Sequence, residues 1–426
     1  MTESYNLAFF ADTHLGYGAY PFTDAKGINL RVKDGEKALH EIVNQIIESP
    51  VPIHGVVHGG DIFHYSHPSI RDIFIFQYYV RQLAKHNIPF FGLAGNHDAS
   101  DNRSNMPSVA AVDDPDKGIH ALWTPYQKYQ LTDGIVLHSV GHHGLSAEDA
   151  PKIVPDDNVL NIFTTHGAAL DPKNNTLMNC KDSPREQIIP PEMIIDDNFI
   201  IRLLGHYHSR YPVGGELLKT WYAGSTVRRG FSDEVGERGW LLVKIFPDGR
   251  TEIKFNNISQ RPQYDLDIID ASGLSSSDVQ DIMESHISST LYDDNTGLFD
   301  EDNAPIVRQK IINAPRSLRA GIDKQRIASL TKHMLHWDLS YSAPEEVVTV
   351  RKVINENGVE VEEVVDVADA SPSLTRVASG QNNTVEYFDR WTEQSQILSQ
   401  LPTDRQEIIK KQARKHLESV QAQRNG

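Results

Sequence analysis

Leu7-Ala8-Phe9-Phe10-Ala11-Asp12-Thr13-His14 is the stretch whose reading decides the fold. Its five apolar residues form a short, bounded run, the signature of a buried strand. Asp12 and His14 close the run two residues apart, so their side chains leave the same face of the chain. Both are metal ligands by chemistry, although a single Asp at a strand end also caps turns. The arrangement recurs four times. Gly55-Val56-Val57 runs into Gly59-Gly60-Asp61, and Pro89-Phe90-Phe91-Gly92-Leu93 into Gly95-Asn96-His97-Asp98. Val159-Leu160-Asn161-Ile162-Phe163 runs into Thr164-Thr165-His166-Gly167. Phe199-Ile200-Ile201-Arg202-Leu203-Leu204 runs into Gly205-His206-Tyr207-His208.

Helical periods separate the first of these runs. Residues 33–48 place Ala38, Leu39, Ile42, Val43, Ile46 and Ile47 on one side, and Pro50 and Pro52 end the helix. Residues 69–84 form a second helix, rich in Ile, Phe and Tyr. So wide an apolar surface either is core or serves a dimer interface. Alternating strand and helix predicts βαβ units and a parallel sheet with helices on both faces. Between Ile119 and Gly144 lie short strands, with His142 and His143 near their end as structural residues. Residues 168–194 are loop-rich. Strands at 219–222, 239–246 and 251–255, with Pro247-Asp248-Gly249 as a hairpin turn, predict a second, more antiparallel sheet closing near Ile258. The fold class expected for 1–260 is α/β, a two-sheet sandwich with flanking helices.

Residues 261–344 read as a small α+β domain, with helices at 276–291 and 323–335 and strands at 264–269, 306–312 and 336–341. Residues 345–383 hold either an acidic hairpin around Asn355-Glu356-Asn357-Gly358 or an acidic unstructured stretch, and then a polar linker. Residues 384–426 form a helical pair broken at Pro402. One helix aligns Val385, Phe388, Trp391, Leu398 and Leu401, the other Ile409, Ala413, Leu417 and Val420. Such a pair folds back on its own domain or docks on another helix.

Composition sets bounds. The chain of 426 residues has room for two or three domains. A single cysteine, Cys180, excludes an intrachain disulfide and fits a reducing, cytoplasmic compartment. No stretch approaches the roughly twenty apolar residues of a membrane span, and no secretory signal is expected. The net charge of −17 argues against a whole-surface polyanion binder. It leaves room for nucleic-acid contact through a local patch, through metals or through a basic partner.

Ligands bind beyond the carboxyl ends of strands in an open parallel sheet. The five loops therefore bring Asp12, His14, Asp61, Asn96, His166, His206 and His208 together. That many nitrogen and oxygen ligands exceeds the needs of one ion and suits two ions sharing a carboxylate. The mixed set favours Mn, Fe or Zn over Mg. Two such ions clamp the attacking and leaving oxygens of an in-line phosphoryl displacement. His97 is left over beside a ligand, placed to protonate a departing alkoxide. Asp98 is expected to hold its imidazole and raise its pKa.

In combination these motifs resemble the calcineurin-like metallophosphoesterases over about the first 260 residues. Within that superfamily, Phe10-Ala11-Asp12-Thr13-His14-Leu15-Gly16-Tyr17 and Gly60-Asp61-Ile62-Phe63-His64 are similar to the double-strand-break repair nucleases of the SbcD and meiotic-recombination type. So are Tyr222-Ala223-Gly224-Ser225 and Gly239-Trp240-Leu241-Leu242-Val243. The resemblance implies a metallophosphoesterase sandwich, a DNA-capping domain at 261–344 and, at 384–426, a docking site for an SbcC-type coiled-coil ATPase. It also implies two Mn(II) ions per chain. Asp12, His14, Asp61 and His208 would hold one, and Asp61, Asn96, His166 and His206 the other. His97 would act at the leaving group and His64 would help place the scissile phosphate. The implied activity is a Mn-dependent 3′-to-5′ exonuclease on duplex DNA ends and an endonuclease on single strands, in a homodimer formed through helices after the first strands. Three features depart from that family: the strong acidity, a long polar loop after Asp98 that carries Arg103 but little positive charge, and the 347–367 hairpin. A calcineurin-like hydrolase of cyclic nucleotides or other small diesters is the alternative. A non-catalytic scaffold would have lost ligands that are all present here.

Overall fold

The computed structural model describes residues 4–99, 106–145, 151–171, 176–177, 187–214, 219–231, 236–291, 300–344, 348–354 and 360–367. Strands β1 (Tyr5–Phe10), β2 (Gly55–His58), β3 (Phe90–Leu93) and β4 (Ile119–Leu122) pair in parallel in that order. On the other side of β1 lies the antiparallel strand Gly239–Ile245, followed by Thr251–Asn257, which completes six strands. Helices α1 (Leu30–Ile47) and α2 (Ile70–Lys85) connect β1 to β2 and β2 to β3. Asn29 caps α1 by accepting from the Arg31 N–H. Ser69 and Asp72 form a reciprocal capping box on α2.

A second six-stranded sheet holds β5 (Gln127–Thr132), β6 (Ile135–Val140), β7 (Leu160–His166), Phe199–Gly205, Thr220–Tyr222 and the short Tyr211–Pro212. From β6 through Thr220–Tyr222 its pairings are parallel. Two expectations are corrected here. The ligand-bearing runs do not share one sheet: three belong to the first and two to the second. The Gly239–Ile245 and Thr251–Asn257 strands extend the first sheet instead of building the second.

The reason lies in the period-two burial of strands that are apolar on both faces. Ala8 and Phe10 of β1, Val56 of β2 and Phe90 of β3 pack against Ala38, Leu39, Ile42 and Ile46 of α1 and Phe76, Val80 and Leu83 of α2. Leu7, Phe9, Val57 and Phe91 point the other way, onto Leu137, Ile162, Ile201 and Leu203 of the second sheet. Helices therefore cover one face of the first sheet, and the second sheet covers the other, where helices on both faces were expected. Gly239–Ile245 is also apolar on both faces, with Trp240 and Leu242 in the helix-side core and Leu241, Val243 and Ile245 between the sheets. It therefore fits beside β1. Thr251–Asn257 alternates half-buried and exposed positions, which suits a sheet edge.

The second helix is core on one side and exposed on the other. Phe76, Val80 and Leu83 are buried, whereas Ile70, Phe74 and Tyr78, four apart, are 76%, 67% and 57% exposed. Among the described residues no helix is long and apolar enough to cross a membrane.

The chain divides into two compact units. One comprises Met1–Ile269, Gln280–Lys310 and Asp323–Ser340, the other Asp270–Val279, Ile311–Ile322 and Tyr341–Gly426. Beyond the two sheets, the first unit pairs Gln263–Asp265 in parallel with Ile306–Arg308. It packs Leu266, Ile287, Val307 and Met334 together. Arg261 grips Asp34 of α1 through two bonds of 2.7 and 2.8 Å. In the second unit Val348–Ile354 and Glu360–Val367 form an antiparallel hairpin with a bulge after Thr349. Its turn, the 368–383 linker, the 384–426 helical pair, Arg103 and Cys180 lie outside the described residues.

Candidate metal centre

The carboxyl ends of β1, β2, β3, β7 and Phe199–Gly205 meet at one edge of the sandwich. Bonds across the loops hold them there. Asp12 N–H donates to the Gly60 carbonyl at 2.9 Å, and His206 N–H donates to the Asp12 carboxylate at 3.1 Å. The His166 Nδ1 lies 2.8 Å from the Gly59 carbonyl, so it carries the hydrogen and Nε2 is left to face the centre. Glycine is required where these loops cross. A Cβ on Gly95 would come within 2.2 Å of Asp61 Oδ1, and one on Gly205 within 2.1 Å of the Gly59 carbonyl. Asp12, His14, Asp61 and His206 themselves hold φ values of 54°, 44°, 54° and 118°. Side chains rarely adopt this region, and such strain concentrates where chemistry demands a side chain at a fixed point.

All seven expected ligands come together. His14 Nε2 is 3.3 Å from His208 Nε2 and 3.5 Å from Asp61 Oδ2, with Asp12 Oδ1 at 4.0 Å. On the other side, His166 Nε2 is 3.4 Å from Asp61 Oδ1 and 3.0 Å from Asn96 Oδ1. The His206 Nδ1 is 3.3 Å from the same Asn96 oxygen. Asp61 thus presents one oxygen to each of two groups of donors. Ligands that bind a common ion at about 2.1 Å, at angles near 90–110°, lie about 3.0–3.4 Å apart. The separations around Asn96 and His166 and between His14 and His208 fit that spacing, His14 to Asp61 is just outside it, and Asp12 stands wider at 4.0 Å from His14.

The electrostatics point the same way. Asp12, Asp61 and Asp98 are all buried. Burial, opposed by His166 and reinforced by Asp61, pushes Asp12 up to about 7. Burial alone would lower His166, but the Asp61 carboxylate outweighs it and lifts the imidazole to about 9. Burial and then the Arg229 charge hold His14 well below its usual range, which keeps it a neutral ligand. Facing buried carboxylates, with His14 kept neutral and a proton held on His166, form a site where a divalent cation can take the place of that proton.

His97 and Asp98 require a correction. Asp98 does not hold the His97 ring. Its oxygens accept the N–H groups of Ile62 (3.0 Å), Phe63 (2.8 Å) and Gly95 (2.9 Å). Asp98 therefore ties the β2 and β3 loops together, because a buried carboxylate takes the nearest donors, and three backbone N–H groups point at it. Burial and then Asp61 push it up to about 7, against the pull of those donors. The His97 Nδ1 lies 2.7 Å from the His64 carbonyl, which can only accept, so Nδ1 carries the hydrogen. His97 N–H donates to Asp61 at 2.8 Å, and its ring lies 4.7 Å from that of His14 and 5.2 Å from that of His64. His64 sits at the rim, its pKa lowered to about 4 by burial and then by the charge of His97.

Three residues here escaped the sequence reading. His58 bonds Thr13 Oγ1 at 3.1 Å and accepts the Gly60 N–H at 3.2 Å, bracing two ligand loops from behind. Tyr17 edges onto His64 at 5.1 Å, and Arg229 reaches His208. Arg229 lies outside every strand-end motif, while Tyr17 and His58 lie within or beside two of them without standing at a ligand position. His142 lies behind His166, with Nδ1 3.4 Å from its carbonyl, outside the donor groups.

A family model described as calcineurin-like phosphoesterase matches residues 5–240, more than half of the chain. The chain belongs to the calcineurin-like phosphoesterases. It is accordingly a metal-dependent phosphoesterase, and its centre calls for divalent ions. Relatives include the DNA double-strand break repair protein Mre11 of Haloferax volcanii, 26% identical over 59% of this chain and 52% of that one. The proteins of that name from Methanosarcina acetivorans and Thermoplasma acidophilum are 31% and 33% identical over 24% and 28% of this chain, and 15% and 29% of their own. The phosphoesterase thus spans about half or less of the length of these curated relatives. A solved dimetal phosphatase from Danio rerio aligns at 11% identity and a TM-score of 0.36, over 60% of this chain and 97% of its own, too loosely to carry an argument.

The Asp98 geometry makes a prediction. Asp98→Ala leaves three buried N–H groups without an acceptor, each costing about 1–3 kcal/mol. Urea unfolding is expected to show a loss of about 3 kcal/mol or more, with reduced divalent-metal content. Asp98→Asn, which keeps an acceptor oxygen, should lose less. Unchanged stability of the Ala variant would refute the loop-tying role.

Proposed function

We propose that this phosphoesterase is a two-metal DNA nuclease, a Mn-dependent 3′-to-5′ exonuclease on duplex ends and an endonuclease on single strands, acting in DNA end processing and repair or recombination. The observation that carries this reading is Asp61, whose two oxygens face two separate donor groups. Asp12, His14, Asp61 and His208 would hold one ion, and Asp61, Asn96, His166 and His206 the other, with Mn(II) favoured over Mg by the mixed donor set and Fe or Zn as alternatives. When bound, such ions polarise a phosphodiester and make a water acidic enough to attack near neutral pH. The choice of DNA is supported by relatives that are DNA double-strand break repair proteins and by the motifs around Asp12 and Asp61.

The chain's own residues do the rest. His97 has Nδ1 fixed on the His64 carbonyl, so Nε2 is the atom turned to the substrate. The step requires His97 as an imidazolium: as the water oxygen, its proton lost to solvent, bonds to phosphorus and the P–O bond to the departing sugar oxygen breaks, Nε2 gives its proton to that oxygen and the ring is left as the neutral Nδ1–H form. His64, stacked on His97, helps place the scissile phosphate. Asp98 acts at one remove by fixing the loops of Asp61 and Asn96.

Hydrolysis of a 3′-labelled linear duplex with added Mn(II) tests this. The wild type is expected to release nucleotides, and His97→Ala and His206→Ala to lose at least about 100-fold in rate. His97→Ala should keep its metal and His206→Ala should not. Wild-type protein inert on DNA but active on a small diester in a His206-dependent way would favour the small-diester alternative.

Two partners complete the proposal. The exposed Ile70, Phe74 and Tyr78 form a self-complementary apolar stripe that supports a homodimer. Phe74→Glu is expected to convert a dimer to a monomer in analytical ultracentrifugation without loss of fold, and an unaltered sedimentation coefficient would reject this face. The apolar faces of 384–426 support docking to the coiled coil of an SbcC-type ATPase. Removing residues after Ala368 should abolish co-purification with that partner and spare diester hydrolysis; retained co-purification would reject the docking site.

A further inference from the structure

We propose that Arg229, positioned by Tyr17, is a phosphate-binding residue at the rim of the metal centre that holds a non-bridging oxygen of the scissile phosphodiester. This deepens the nuclease reading and rests on it.

The loop that carries Arg229 is laid along the centre. Ser225 N–H donates to the His208 carbonyl at 3.0 Å, and Thr226 N–H to the Asp12 carbonyl at 3.4 Å. The Arg228 carbonyl accepts from Gln263 Nε2 at 2.9 Å and also from the buried Arg31 guanidinium. The Arg229 carbonyl accepts the Tyr17 hydroxyl at 3.3 Å. With the main chain held at each of these points, the Arg229 side chain is directed at the donor group. Its Nη2 lies 2.6 Å from His208 Nε2, and its guanidinium carbon lies 5.7 Å from the centre of the Tyr17 ring. Tyr17 meets His64 edge-on at 5.1 Å, and His64 stacks on His97 at 5.2 Å. Arg229, Tyr17, His64 and His97 form one continuous rim beside His14 and His208.

The chemistry favours a phosphate here. The chain carries a net charge of −17, so a polyanion is repelled except where a cation is fixed locally. A guanidinium stays charged at any working pH, and its forked donors match phosphate oxygens. Arg229 Nη2, 2.6 Å from the His208 imidazole, stands beside the place where a phosphate on that ligand set would lie. Negative charge builds on the non-bridging oxygens as water attacks, so a fixed donor there contributes most in the transition state. Tyr17, whose hydroxyl is committed to the Arg229 carbonyl, is a positioning residue. A purely structural role, in which Arg229 only orients His208, makes a different prediction: its loss would empty the metal site.

The test uses the full chain loaded with Mn(II), as wild type, Arg229→Gln, Arg229→Lys and Tyr17→Phe. Metal content is measured by mass spectrometry, binding of deoxyadenosine 5′-monophosphate by calorimetry, and turnover on a chromogenic phosphodiester. Arg229→Gln is expected to keep the wild-type metal content, bind the nucleotide about tenfold more weakly and lose about 100-fold in kcat/KM. Arg229→Lys should recover part of both losses, because it keeps the charge without the fork. Tyr17→Phe should raise KM more than it lowers kcat. Nucleotide binding unchanged in Arg229→Gln, or metal lost with it, overturns the proposal. Wild-type protein that binds metal but neither turns over the diester nor retains the nucleotide overturns the nuclease reading beneath it.

Discussion

The Asp61 carboxylate, buried between two sets of imidazole and amide donors, is the constraint on which the rest of the site depends. A carboxylate at that depth is costly unless cations surround it. The protein meets that cost with backbone and side-chain contacts that hold every donor at a fixed distance. Asp61 also accepts the His97 N–H, so the same group that links the two donor sets positions the proposed proton donor. Asp98 and His58 stand one layer further out and fix the loops on which these donors ride.

Strain and support go together at this edge. Four of the donor residues sit at positive φ, although none is a glycine, and glycines fill the crossings where a methyl group would collide. The sandwich behind them supplies the means. Apolar residues on both faces of β1, β2 and Gly239–Ile245 bind helices on one side and the second sheet on the other, making a rigid base from which strained loops project.

Much of this was legible in the chain itself. All seven donors were readable because each ends an apolar run, and the helix capped by Ser69 and the 348–367 hairpin follow local rules. What was not legible required knowing how runs pair. Gly239–Ile245 looks like a member of a second sheet, and only its two-sided burial places it beside β1. Asp98 looks like a partner for its neighbour His97, but three backbone donors from other loops claim it. Arg229 lies outside every strand-end motif and His58 stands off the ligand positions; their roles exist only in three dimensions.

The division of the donors between the two sheets has a consequence for how the centre is assembled. Asp12, His14, Asp61 and Asn96 come from the first sheet, and His166, His206 and His208 follow strands of the second. Neither donor group is complete on one sheet. During synthesis, a chain that has emerged only as far as β6 holds no full coordination set, however well its first sheet has folded. The last donor, His208, closes the centre only when the late strand Phe199–Gly205 has found its place between β7 and Thr220–Tyr222. The centre is thereby a product of both sheets, and a chain in which either sheet is unformed lacks donors from each group.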